Sequence, residues 1–133
     1  MAAVKVLVVD DDHLHCRMVR DILETVGYAV VEAVDGADGL EKAEALHPDV
    51  ILLDLMMPGI DGYEVCRGLK RNPETISIPV ILVTISPDVT LDHLAYAAGA
   101  IACIRKPIRR ESLLAVIAAA LKSERGQGGP GGI

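Results

Sequence analysis

The chain has 133 residues, of which 51% are hydrophobic and 24% charged. That is enough for one domain with a sizeable core, too short for two ordinary domains, and not the composition of a disordered segment. Three tyrosines without a Phe or Trp, and a net charge of -6, argue against a protein that stacks bases on aromatic platforms or is drawn to phosphate backbones and anionic membranes.

In chain order, residues 4–9 are an apolar run broken only by Lys5, which reads as a buried strand. Residues 13–26 follow as a helix, with Leu14, Met18, Ile22 and Val26 at four-residue spacing on one face and Gly27 as its stop. Residues 28–33 are a second strand, and Gly36–Leu46 a second helix closed by His47-Pro48. Residues 50–53 are a wholly apolar third strand, and the helix over 61–71 halts before Asn72-Pro73. A fourth strand covers 80–83, a fourth helix 88–98 with Gly99 after it, a short fifth strand 101–104 and a fifth helix 110–121. The stretch 123–133 has five glycines and one proline in its last eight residues and is expected to be a flexible Gly-rich tail or linker, leaving the domain to residues 1–122. No apolar run approaches the ~20 residues of a membrane span. Cys16, Cys66 and Cys103 are an odd, scattered set, expected as free thiols in a reducing cytoplasm.

Five strand–helix units predict an α/β fold with a doubly wound parallel sheet and helices on both faces. The first, third and fourth strands are the most apolar and belong at the centre. The second, with Glu32, and the short fifth suit the edges. Right-handed crossovers then favour the flavodoxin-like order 2-1-3-4-5.

Ligands of such a sheet bind beyond the carboxyl ends of the strands, near the point where strand order reverses, here between the first and third strands. The first strand runs into Asp10-Asp11-Asp12, the third into Asp54, the fourth into Thr84 and the fifth into Lys106-Pro107. Taken singly, each has an ordinary structural reading. An acid after a strand usually caps a helix, which fits Asp12, Asp35 and Asp61. Capping does not explain why all the others fall on one rim. Clustered carboxylates repel unless a cation sits among them, and an all-oxygen set suits Mg²⁺. A carboxylate can attack a phosphoryl group to give an acyl phosphate, with a metal ion and a lysine neutralising charge and a hydroxyl binding an oxygen.

The stretches Val8-Val9-Asp10-Asp11, 49–62 with Asp54 and Asp61-Gly62, 78–84 ending in Thr84, and Lys106-Pro107 stand in this order on these elements. On these residues the chain resembles the receiver domain of two-component response regulators, over roughly residues 4–121. The resemblance implies that Asp54 is the phosphoacceptor, that Thr84 binds a phosphoryl oxygen, and that Lys106, after which the peptide bond would be cis, pairs with Asp54 or its phosphate. It implies Mg²⁺ held by Asp10, Asp11, Asp54 and the backbone carbonyl of Met56. The donor would be a phosphohistidine on a histidine kinase or histidine phosphotransfer protein. The output would pass through the helix 4–strand 5–helix 5 surface to an output domain or a homodimer, in the cytoplasm, without direct contact to nucleic acid or membrane. Such a protein is not an enzyme beyond its own phosphorylation and dephosphorylation.

Two positions depart from the family. Ile85 follows the switch threonine where a small residue is usual, and its bulk would restrict access to Asp54. Cys103 stands at the strand 5 position usually held by Tyr or Phe, and a thiol cannot make the same ring rotation. These departures favour an alternative, a receiver-like interaction module that no longer switches. A second alternative is a haloacid-dehalogenase-like phosphatase, on the Asp10-x-Asp12 pattern. His13, His15 and Cys16 are expected to be a solvated helix start rather than a metal site, since His13 and His15 point to different faces. Cys103 reads as an inert core thiol. Helix 5, with Leu113, Leu114, Val116, Ile117 and Leu121, has more apolar positions than one core stripe needs, which suggests a dimer face.

Overall fold

The computed structural model describes residues 3–57, 59–88 and 90–127. Its elements are β1 (Lys5–Val9), α1 (His13–Glu24), β2 (Ala29–Ala33), α2 (Gly36–Leu46), β3 (Val50–Asp54), α3 (Gly62–Arg71), β4 (Val80–Thr84), α4 (Thr90–Ala97), β5 (Ala102–Arg105) and α5 (Arg110–Gln127). The strands form one parallel sheet in the order β2-β1-β3-β4-β5. The reason is visible in the strands. β3 and β4 are buried at every position, whereas β2 carries exposed and half-buried residues and β5 only half-buried ones. A strand with both faces covered must be apolar throughout, so the apolar runs take the centre.

Alternate side chains of the strands supply two cores. Leu7, Val9, Ile51, Leu53 and Leu82 pack with Ala43 of α2, Val65, Cys66 and Leu69 of α3, and Ala95 of α4. Val6, Val8, Leu52, Ile81 and Val83 pack with α1 and α5 on the other face. Both cores are aliphatic, and the half-buried Tyr28 and Tyr63 only border them.

α1 presents a different face from the expected one. Leu14 is 81% exposed and Met18 and Val26 are also on the surface, while Cys16, Val19 and Leu23 are buried. A strict four-residue step overshoots the helical turn by ~40°, so the Leu14–Met18–Ile22–Val26 line drifts around the cylinder. Spacings of three and four in combination hold to one side. The helix also ends earlier, at Glu24, where Thr25 caps it and Gly27 adopts φ +86.

Asp12, Asp35 and Asp61 do cap α1, α2 and α3, accepting the amides of Leu14 and His15, of Asp38, and of Glu64. α5 continues to Gln127, past the expected end at Leu121, because neither Gly nor Pro interrupts it before Gly126. The glycine-rich residues 128–133 lie outside the described residues. On α5, Leu113, Ile117 and Ala120 are buried, and Leu114, Val116 and Leu121 pack along the flank of the same core. The apolar surplus of this helix is thus used largely within the chain. Among the described residues no helix is long and apolar enough to cross a membrane. The three cysteines are free thiols, Cys16 and Cys66 buried and Cys103 half-buried.

Candidate functional site

The sheet register brings the expected residues to one rim. Val9 pairs with Leu53, Asp54 with Val83, and Thr84 with Arg105. Asp10, Asp54, Thr84 and Lys106 therefore stand at or one residue beyond the carboxyl ends of four adjacent strands. Carboxylate oxygens of Asp10, Asp11 and Asp54 lie within 4.8 Å of one another. Asp10 and Asp54 are 3% and 6% exposed, and Asp11 faces solvent. Lys106 reaches in between them, its Nζ 3.3 Å from Asp10 Oδ2 and 3.4 Å from Asp54 Oδ2. The Lys106–Pro107 peptide bond is cis.

Asp54 is held from its own chain. The Met56 amide donates to Asp54 Oδ1 at 3.1 Å, which brings the Met56 backbone beside the cluster. α3 begins hard against the same segment. A Cβ on Gly62 would lie 2.7 Å from Leu55 Cα and 2.8 Å from the Asp54 carbonyl oxygen, so only glycine permits that approach. Thr84 is buried, and its Oγ1 accepts the Ser86 amide at 3.1 Å.

The two buried carboxylates are driven apart electrostatically. Burial pushes both upward. At Asp10 the hydrogen bonds from His15 and the Asp12 amide and the charge of Lys106 outweigh burial and hold the carboxyl at about 2. At Asp54 burial and the charge of Asp10 prevail over the Met56 amide and Lys106, and the carboxyl lies above its ordinary value. Burial favours the neutral form of Lys106, yet Asp10 and Asp54 more than offset it and raise the ammonium. A divalent cation fits this donor set, which is all oxygen, crowded and short of positive charge.

His15 is the residue that sequence reasoning missed. Its ring is not solvated: it is 12% exposed, with Nδ1 2.7 Å from Asp10 Oδ2. Nε2 is buried without a hydrogen-bond partner. Cys16 is also buried, its thiol 3.5 Å from the Asp10 carbonyl, and burial followed by the nearby carboxylates pushes it to about 12. Of the three, only His13 sits on the surface as expected. A signal was present: His15, Val19 and Leu23 repeat at four residues beside Cys16, on the stripe that is buried.

On the far side of the rim, Ile85 is 68% exposed beside Thr84. Cys103 is half-buried and, like Tyr63, packs against the edge of the core, and burial, then the Asp92 carboxylate, raises its thiol. Arg105, the last residue of β5, donates from Nε to the Ser86 carbonyl at 2.9 Å and from Nη2 to the Asp88 carbonyl and to Asp92 Oδ1 at 3.1 and 2.9 Å. The Arg110 guanidinium donates to Thr25 Oγ1 at 2.8 Å. Both arginines hold elements of this chain together.

A five-stranded parallel sheet in this order, with an acidic pocket at its switch point and a lysine just past β5 reaching across it, is a flavodoxin-like domain. Residues 6–118 match the response regulator receiver domain family, and the chain belongs to that family. It is 37% identical over 117 residues to the protein PilH of Pseudomonas aeruginosa, covering 88% of this chain and 97% of PilH. It is 38% identical over 118 residues to the DNA-binding dual master transcriptional regulator RpaA of Synechocystis, covering 89% of this chain but only 49% of RpaA. Among solved structures, the Vibrio cholerae chemotaxis protein CheY4 superposes with a TM-score of 0.85 at 32% identity, over 90% of this chain and all (100%) of that one. The chain is thus a receiver domain of two-component signalling, a signalling module rather than a true enzyme. This membership sets the phosphatase alternative aside, and Asp12 is in any case engaged as the α1 cap.

Proposed function

We propose that this receiver takes a phosphoryl group onto Asp54 from a phosphohistidine of a histidine kinase or histidine phosphotransfer protein. The observation that carries the reading is the placement of the Asp54 carboxylate, at the end of β3 and within reach of both Lys106 and the Asp10–Asp11 pair. A carboxylate oxygen of Asp54 attacks phosphorus, the P–N bond breaks, and the electron pair leaves with the imidazole of the donor. An acyl phosphate results, and water later cleaves it. Lys106 pairs with the phosphoryl oxygens, and the Thr84 hydroxyl binds one of them. Asp10, Asp11 and Asp54, with the Met56 carbonyl, are the residues that would hold Mg²⁺. When bound there, Mg²⁺ neutralises the repulsion among the carboxylates and the charge of the incoming group. The reading assigns the protein to the cytoplasm, in keeping with three free thiols. Its output is a change in protein–protein contacts at α4, β5 and α5, toward an output domain or a second copy, with no direct role for nucleic acid or membrane.

The test is NMR of the chain with Mg²⁺ and either acetyl phosphate or beryllofluoride. Resonances around Asp54 should shift, and Asp54→Asn should abolish the shifts. A silent wild-type spectrum would sink the proposal. Cys103 favours a second reading, a module that is phosphorylated without switching. In that case the shifts stop at the rim and never reach α4, β5 or α5.

A further inference from the structure

We infer that His15 is a positioning residue for the carboxylate cluster: its Nδ1–H fixes Asp10 in the orientation in which Asp10, Asp11 and Asp54 can hold a divalent cation. This rests on the metal-binding reading proposed above and adds to it a residue outside the carboxylate cluster.

Both oxygens of Asp10 have a donor. Oδ1 accepts the Asp12 amide at 2.9 Å, and Oδ2 lies 2.7 Å from His15 Nδ1. Lys106 also reaches Oδ2, but at 3.3 Å, and it is divided between Asp10 and Asp54. The imidazole makes one ring hydrogen bond and makes it to Asp10, since Nε2 is buried and unpartnered. A short hydrogen bond to a carboxylate is charge-assisted and among the stronger kinds.

The same geometry assigns the proton. An ionised Asp10 is acceptor-only, so Nδ1 carries the hydrogen. The imidazole therefore presents its Nδ1–H to Asp10. Lys106 is shared with Asp54, whereas the ring bond of His15 is made to Asp10 alone, so His15 is the side chain that sets the orientation of Asp10. A cavity of about 10 Å³ lies between the ring, the Asp10 and Asp54 carboxylates and the aliphatic side chains of Val19, Leu52 and Ile108.

The experiment uses the whole chain, metal-free and then titrated with Mg²⁺, read by NMR. Wild type should bind, His15→Leu should bind about 10- to 100-fold more weakly, and His15→Asn, whose amide reaches the same oxygen, should recover most of that loss. Urea melts in EDTA report whether each variant is folded. Nitrogen spectra of the metal-free wild type should show the proton on Nδ1, a readout that stands even if His15→Leu does not fold. Mg²⁺ affinity in folded His15→Leu within about twofold of wild type overturns the inference. So does a folded His15→Asn as weak as His15→Leu, or an Nδ1 that carries no proton. A wild type that does not bind Mg²⁺ fails the underlying metal reading first, and the inference with it.

Discussion

The ammonium of Lys106 lies 3.4 Å from Oδ2 of Asp54, a contact that spans 52 residues of sequence. The same ammonium reaches Asp10, so one cation serves two buried carboxylates. Replacing it with an uncharged side chain leaves both without their neutralising partner. Lys106→Met should lose about 1–3 kcal/mol of stability in EDTA at neutral pH. Part of that loss should return with Mg²⁺. Urea denaturation with and without the metal measures both, and an unchanged midpoint in EDTA would count against the bridging role.

The opposed shifts of Asp10 and Asp54 give the metal-free protein a two-part pH dependence. Asp10 is lowered from 3.8 to about 2, so its contribution is present above pH 3.8 and lost as the pH falls toward 2. That contribution is on the order of 2 kcal/mol. Asp54 is raised, so its contribution is present below 3.8 and is lost as the pH rises through its elevated folded value. Urea midpoints across pH in EDTA should therefore show Asp54→Asn more stable than wild type at pH 7. Asp10→Asn should remove the steep loss below pH 4. A wild-type minus Asp54→Asn difference that does not vary with pH rejects the assignment.

Gly62→Ala should destabilise the domain by about 1–3 kcal/mol, because the added methyl meets the backbone of Asp54 and Leu55 rather than a yielding side chain. It should also shift the amide resonances of Asp54 and Met56. A neutral substitution would mean that α3 can back away from β3 at no cost.

The buried face of α1 is open to a direct comparison. Leu23→Ala should cost about 2–5 kcal/mol, while Leu14→Ala should stay within about 0.5 kcal/mol of wild type. Equal losses at the two sites would restore the face expected from four-residue spacing.

Ile85→Ala removes an exposed side chain next to Thr84 and should change stability by less than about 0.5 kcal/mol. Phosphorylation by acetyl phosphate should become faster, as should loss of the phosphoryl group, both followed on intact protein by mass spectrometry. Unaltered rates would show that this side chain does not limit access to Asp54.

Strand order was legible because burial on both faces demands unbroken apolar runs, and 50–53 and 80–83 are such runs. The acidic residues were legible because a parallel sheet delivers its strand ends to one rim, so Asp10, Asp54, Thr84 and Lys106 needed no contact information to be grouped. The face of α1 was not legible from Leu14, Met18, Ile22 and Val26, whose spacing looks helical but drifts by about 120° over three steps. The same misreading hid His15. Once Val19 and Leu23 define the buried side, His15 falls on it, one turn from the strand end that carries Asp10. The end of α5 was misplaced for a different reason: Lys122, Glu124 and Arg125 are good helix formers, and a glycine-rich stretch marks the end of a helix only where the glycines begin.

Arg105 and Lys106 are consecutive, and their side chains leave the backbone toward opposite neighbours. One grips Asp10 and Asp54. The other grips the carbonyls of Ser86 and Asp88 and the carboxylate of Asp92. The end of β5 is therefore a yoke, with the acidic pocket harnessed on one side and the approach to α4 on the other. Two consecutive residues thus tie both the acidic pocket and the start of α4 to the end of β5, by contacts that leave position 103 out.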